Sequence, residues 1–307
     1  MFKHILVPLD GSLLAEAALP AARFLADKLR AMVTLLHVIE KNPPKEVHGQ
    51  PHLSSSGQSK EYLRGIRRNI FADNDRVKCH VHETAVNDVA ASIVSHHSEF
   101  DHDLIVMCSH GRGRALHLIL GSIAQKVIAL GPIPVLITHP DEKQNPRPFT
   151  CDAILVPLDG EKEHEIALPF SAGLTRACGA TLHLVHVVPD FNSLSGPKTV
   201  TSRFLPGTTT KILEIAAQDG AEYLREKQDW LNKQGITSSV HVLRGDPADV
   251  IAAIPAQSPI DLIALATHGK SGMEAFWAGS VAHKVCSQSK TPLLLVPAAK
   301  TEPSAPG

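Results

Sequence analysis

Short apolar runs, rich in β-branched residues, punctuate this chain. They alternate with longer segments whose apolar residues recur at helical spacing. The runs at Ile5–Leu9, Val33–Ile39, Leu104–Cys108 and Val135–Ile137 read as strands buried in a parallel sheet, and the more polar Val77–Glu83 as a further strand. A second series, Ile154–Leu158, Thr181–Val188, Ser239–Leu243, Leu262–Ala266 and Leu293–Val296, reads the same way. Between the first two runs, Ala15, Ala18, Leu19, Ala22, Leu25, Ala26 and Leu29 form one apolar stripe. Further helices are predicted over 59–70 and 211–233, and after Val86-Asn87-Asp88 and Asp246-Pro247, where Asp246 has the look of an N-cap with proline behind it. Polar stretches at about 41–58 and 189–210 read as long mobile loops on the carboxyl side of the strands.

The two series are copies. Ile5-Leu6-Val7-Pro8-Leu9-Asp10-Gly11 returns letter for letter as Ile154 to Gly160, and Ala18-Leu19-Pro20 returns as Ala167-Leu168-Pro169 at the same displacement. Each copy carries five strands alternating with four helices, the pattern of a doubly wound α/β unit with an open parallel sheet. We expect domains over 1–139 and 151–298, a proline-bearing linker at 140–150 and a disordered tail at 299–307. Pairing of Val135–Ile137 with Leu293–Val296 would pack the two sheets as an internal pseudo-dimer and cover two exposed edges.

Composition narrows the function classes. A net charge of −1 and a pI near 7 give no basic field for nucleic acid or an anionic membrane. The apolar runs fall short of a membrane span, the chain enters its first strand without a signal-peptide pattern, and its five scattered cysteines suit free thiols in a reducing cytoplasm. There is no Gly-x-x-x-x-Gly-Lys-Ser/Thr, no Gly-x-Gly-x-x-Gly after a first strand, and no Gly-x-Ser-x-Gly, which weighs against P-loop NTPases, dehydrogenases and hydrolases.

The fourth strand of each copy runs into a matched loop. One reads Cys108-Ser109-His110-Gly111, nine residues, Gly121-Ser122; the other reads Ala266-Thr267-His268-Gly269, nine residues, Gly279-Ser280. Glycine past a strand end permits close backbone approach, and a helix start offers free N–H groups to an anion. Arg112 and Lys270 beside the glycines add positive charge.

This arrangement resembles the ATP-binding signature of the universal stress protein family, Gly-x-x-Gly-(nine residues)-Gly-Ser/Thr, and the whole chain is similar to its tandem two-domain members. The resemblance implies a Rossmann-like fold of the nucleotide-binding α-hydrolase type. It also implies a site for ATP, with or without Mg2+, or for AMP or another adenine nucleotide. In the second half it points to Pro157, Asp159, Val187, Ala266, His268, Gly269, Gly279, Ser280 and Val281; in the first half, to Pro8, Asp10, Val38, Cys108, Gly111, Gly121 and Ser122. Both halves depart from the signature at its first glycine. Alanine at 266 is a small change, whereas cysteine at 108 is expected to crowd the pocket, and Thr84 and Val86 stand where the second half has Gly245 and Pro247. The second half is therefore the better-kept site.

Other readings stay beside this one. Asp10 and Asp159 can simply hold their turns, and Ser280 can simply cap a helix. His37 and His186, inside apolar strands, read as satisfied sheet-end residues. His80 and His82 share one strand face with Cys79 on the other, and with no further ligand in view no metal is assigned. Function stays open between a nucleotide-dependent stress-response switch, an interaction scaffold without nucleotide, and a slow ATP hydrolase or phosphotransferase resting on Asp10 or Asp159. A homodimer is a further expectation.

Overall fold

A computed structural model describes residues 1–109, 120–141, 145–191, 193–194, 205–267 and 280–298. In the first half the elements are β1 (His4–Pro8), α1 (Leu13–Glu16), α2 (Leu19–Leu29), β2 (Met32–Glu40), β3 (Glu46–Val47), β4 (Gln50–Pro51), α3 (Ser56–Phe71), β5 (Val77–Val86), α4 (Val89–Phe100), β6 (Leu104–Cys108), α5 (Ser122–Leu130) and β7 (Val135–Thr138). The second half continues with β8 (Ala153–Pro157), a 3-10 turn at Lys162–Ile166, α6 (Ala167–Cys178), β9 (Thr181–Val188), α7 (Pro206–Asn232), β10 (Ser238–Arg244), α8 (Pro247–Gln257), β11 (Leu262–Thr267), α9 (Val281–Gln288) and β12 (Leu293–Pro297).

The chain divides into two compact units. The first holds Met1–Thr150 together with Lys290–Pro297, and the second holds Cys151–Ser289 and the segment from Ala298. In the first unit the strands lie in the order β12-β7-β6-β1-β2-β5. All neighbours are parallel except β12, which runs antiparallel to β7 with Leu294 opposite Leu136. In the second unit β10-β9-β8-β11 are parallel throughout. Strand order reverses between β1 and β6 in one unit and between β8 and β11 in the other, and crevices open at such reversals.

Both first strands are sealed. Ile5, Leu6 and Val7 have no exposed surface, nor do Ile154, Leu155 and Val156. Each is pinned at its start by an aspartate: Asp103 accepts from the N–H groups of Lys3 and His4, and Asp261 from those of Asp152 and Ala153. The single apolar stripe expected over 15–29 is split into α1 and α2. Pro20 has no N–H and its ring opposes the carbonyl four residues back, so the longer helix begins at Leu19 with proline in its first turn. Among the described residues no helix is long and apolar enough to cross a membrane.

The polar stretch after β2, expected to be a mobile loop, instead builds a small hairpin of β3 and β4. His48 and Gly49 turn it with φ of 52° and 78°, the two left-handed residues that a tight hairpin turn demands. Helix α3 then starts at Ser56, capped by the Ser55 hydroxyl. Of the linker, Phe149 packs edge-on against Phe24 of α2 at 5.3 Å.

Candidate functional site

A cavity of about 550 Å³ opens at the strand reversal of the first unit. Its floor is the carboxyl ends of β1, β2 and β6: Pro8, Leu9, Asp10, Leu36, Val38 and Met107. Val89 and Ile93 of α4 form one wall, the hairpin residues Val47 and His48 another, and the start of α5, from Leu120 to Gln125, closes the end. The walls are mostly apolar with a few polar groups at the ends, and the volume lies within the usual range for small-molecule sites, roughly 300–1,000 Å³.

Asp10 holds the turn that follows β1. Its Oδ1 accepts from the N–H of Ser12 at 2.9 Å, and Ser12 in turn caps α1 by accepting from Ala15. Its Oδ2 lies 4.0 Å from His48 Nε2. A second carboxylate on the cavity, Glu40, lies 3.7 Å from His52 Nε2. Gly11, between Asp10 and Ser12, has φ +90°, and a Cβ there would stand 2.8 Å from Leu53, so the turn requires glycine both for its backbone and for the loop lying over it. The loop is held further by Leu53, whose carbonyl lies 3.1 Å from His37 Nε2, and by Gln50, whose side chain accepts from the Leu13 N–H.

Helix α5 begins with Gly121 as its N-cap, and no side chain caps it. Residues Gly121 to Gln125 of its first turn line the cavity end, and a helix start is where backbone N–H groups are offered to an anion. Ser122 is the first helical residue rather than the cap. Cys108 is buried inside the sheet end, where desolvation first and the Asp10 charge second push its thiol up to about 12. Its neighbour Met107 lines the cavity. Gly111, with His110 and Arg112, lies outside the described residues.

The second unit repeats the frame with other partners. Asp159 Oδ1 accepts from Glu161 N–H at 3.0 Å, the counterpart of the Asp10 turn, but its Oδ2 meets His164 Nδ1 at 2.6 Å. Gly160 again has φ +90°, here with open space around it. Ser280 is a true N-cap: its Oγ accepts from His283 N–H. Asp246 caps α8 through Ala248 and Asp249, as its spacing before Pro247 predicted. Gly245 has φ +138°, where the first unit passes Thr84 through a register shift between β2 and β5. Pro157 ends β8 and Val281 begins α9, while Val187 and Ala266 each stand one residue before the end of their strands, β11 running one residue past the expected end to Thr267. His268, Gly269 and Gly279, with Lys270, lie outside the described residues.

His37 and His186 are sheet-end residues satisfied by backbone. Their Nδ1 atoms lie 2.8 Å from the carbonyls of Leu9 and Leu158. The sequence reading missed Glu40, His48, His52, Val89 and Ile93. Only Glu40 left a signal, as an acidic residue directly at a strand end. A further pair also went unseen: Tyr62 donates to Glu16 and Tyr223 to Glu165, joining the long helix after the second strand to the helix after the first in each unit. Burial raises the Glu16 carboxyl and both phenols above their ordinary values.

A family model described as the universal stress protein family matches residues 1–139 and again 151–297. Universal stress protein Slr1230 of Synechocystis sp. is 25% identical over 318 residues, covering 95% of this chain and 99% of that protein. Among solved structures, a universal stress protein from Archaeoglobus fulgidus superposes with a TM-score of 0.64 at 20% identity over 98% of both chains. Protein PA1789 from Pseudomonas aeruginosa superposes with a TM-score of 0.68 at 16% identity, over 97% of this chain and 93% of that one. These two likenesses extend to the tandem α/β fold.

Proposed function

This chain belongs to the universal stress protein family, and from that premise we propose that it binds ATP or a related adenine nucleotide and acts as a ligand-dependent switch in a stress response. The observation that carries this reading is the cavity at the β1/β6 reversal, which gathers Pro8, Asp10, Val38, Gly121 and Ser122 in one place. The residues fit the ligand. Val38, Leu36, Ile93 and Met107 offer apolar faces to a base, Asp10 and Glu40 offer acceptors to ribose hydroxyls, and the uncapped start of α5 offers N–H groups to phosphate. A nucleotide arriving with Mg2+ would bring the cation near the Asp10 carboxylate. The same reading extends to the second half through Pro157, Asp159, Val187, Ala266, His268, Gly269, Gly279, Ser280 and Val281.

Switching requires that the nucleotide bind one state better than another. The hairpin over Asp10 is the element we assign to that change, since His48 and His52 tie it to the two carboxylates a sugar would engage.

Calorimetric titration of the full chain with ATP tests the reading, using a glutamate at the first helical position of each candidate helix. Glutamate there suits the helix dipole and repels phosphate. Ser122→Glu is expected to weaken first-half binding at least about tenfold (~1.4 kcal/mol) without lowering thermal stability, and Val281→Glu to do the same for the second half. Absence of saturable binding by the wild-type chain at millimolar ATP would sink the proposal.

A further inference from the structure

His80 and His82 stand on one face of β5, the strand at the edge of the first unit's sheet, opposite Leu36 and Val38 of β2. Helix α4 crosses that face and brings His96 against them. The rings of His80 and His82 are each 5.1 Å from that of His96. One ligating atom from each of the three lies within 4.8 Å of the other two.

His96 is the best-defined member. It is buried, 1% exposed, and its Nδ1 lies 2.6 Å from the Ser92 carbonyl one turn back. That bond fixes the ring and leaves Nε2 to face the cluster, where it has no hydrogen-bond partner; Glu99 Oε2 stands 3.9 Å away. A backbone carbonyl on the far ring nitrogen is how metal-ligating histidines are oriented. Phe100 stacks on His96 and tilts against His80, giving the site an apolar wall.

We propose that His80, His82 and His96 form a binding site for a zinc-type divalent transition metal, with Glu99 or water as the fourth ligand. Three imidazoles are a borderline-soft donor set that suits zinc and excludes magnesium and calcium, which take oxygen ligands. Zinc–nitrogen bonds of about 2.0–2.1 Å set tetrahedral ligand atoms roughly 3.3 Å apart. Small rotations of the half-buried His80 and His82 close the remaining gap. The metal would give the orphaned Nε2 of His96 a partner and clasp the edge strand to the helix whose Ile93, one turn earlier, lines the cavity.

The test is a Zn2+ titration of the chelator-stripped full chain without nucleotide, followed by calorimetry and by thermal unfolding, with Mg2+ as the hard-ion control. We expect one saturable equivalent of zinc, a rise in melting temperature on its addition, and no response to Mg2+ at the same concentration. His82→Gln, a half-buried position, is expected to lower zinc affinity at least about tenfold and to remove the melting shift. The double variant His80→Gln/His82→Gln is read by Co2+ absorption, where loss of the intense visible bands of tetrahedral cobalt is expected. Zinc affinity and melting shift unchanged in His82→Gln, cobalt bands retained in the double variant, or no saturable zinc binding by the folded wild type would each overturn the site.

Discussion

Asp10 and Asp159 sit in identical heptapeptides and make the same turn, yet they keep different company. The first faces a histidine 4.0 Å away, carried by a hairpin laid over the strand ends; the second is held at 2.6 Å by a histidine from the 3-10 turn just beyond it. The helices that follow the fourth strands differ in the same way. One starts on an uncapped glycine and the other on a serine that caps it. Duplication has kept what the scaffold needs, namely a sealed first strand, a pinned start and a glycine with positive φ. The groups around each aspartate were free to diverge, because they rest on loops that each unit folds separately.

That contrast can be broken most forcefully at the scaffold. If the two first strands are equivalent, Ile5→Ala and Ile154→Ala should cost about the same, roughly 2–5 kcal/mol each, since both side chains are fully buried. Hydrogen exchange of the strand amides reads each unit separately. A gap of more than about 2 kcal/mol between the two losses would show that one unit lends stability to the other's core.

A titratable group sharpens the comparison next. His139 is buried in the first unit with its Nδ1 2.5 Å from the Ser109 hydroxyl, and the corresponding position in the second half is Pro297. Burial, helped by the Arg147 charge, lowers its pKa to about 4 from the usual 6.5. Such a group leaves stability intact above pH 6.5. Between 6.5 and 4 the unfolded chain takes up a proton that the folded one refuses, so stability falls as pH falls, by about 3 kcal/mol in all. Denaturant unfolding at pH 7 and pH 5 should show about 2 kcal/mol of this loss, and His139→Leu should flatten it. An undiminished pH dependence in that variant would assign the effect to other groups.

The smallest effect separates the two serines. Ser280→Ala removes a cap hydrogen bond and should cost about 1 kcal/mol, while Ser122→Ala at the first helical position should cost less than about half of that. Equal losses would mean that the two helix starts do the same work.

Much of the architecture was legible because it is written in local period. Strands such as Leu104–Cys108 and Val135–Thr138 are short apolar runs bounded by charges and proline, and Asp246-Pro247 announces its helix. The two strand histidines were legible for the same reason: an imidazole inside an apolar run has only backbone to satisfy it. What escaped depends on distance along the chain. Nothing near His80 and His82 signals that His96 will arrive from the next helix, because a helix's rotation over a sheet is set by packing of its whole apolar face. The hairpin at 46–51 was hidden in a polar stretch, with His48 taking a backbone conformation that sequence habit reserves for glycine or asparagine. The signature loops at 110–119 and 268–279 lie outside the described residues, so the sequence remains the only guide to His110, Gly111, His268 and Gly269.

One feature of the sheet governs the order in which the molecule can be made. The first unit's strand β7 is covered by β12 (Leu293–Pro297), which follows the second unit's Cys151–Ser289 in the chain. During synthesis the first 150 residues leave the ribosome with that edge bare, and its covering strand is translated only after most of the second unit. Until then an apolar row of unpaired backbone groups is open to any other nascent chain. Completion of the first unit thereby waits on translation of the second, and a product terminated before β12 carries an edge that the paired β7 lacks.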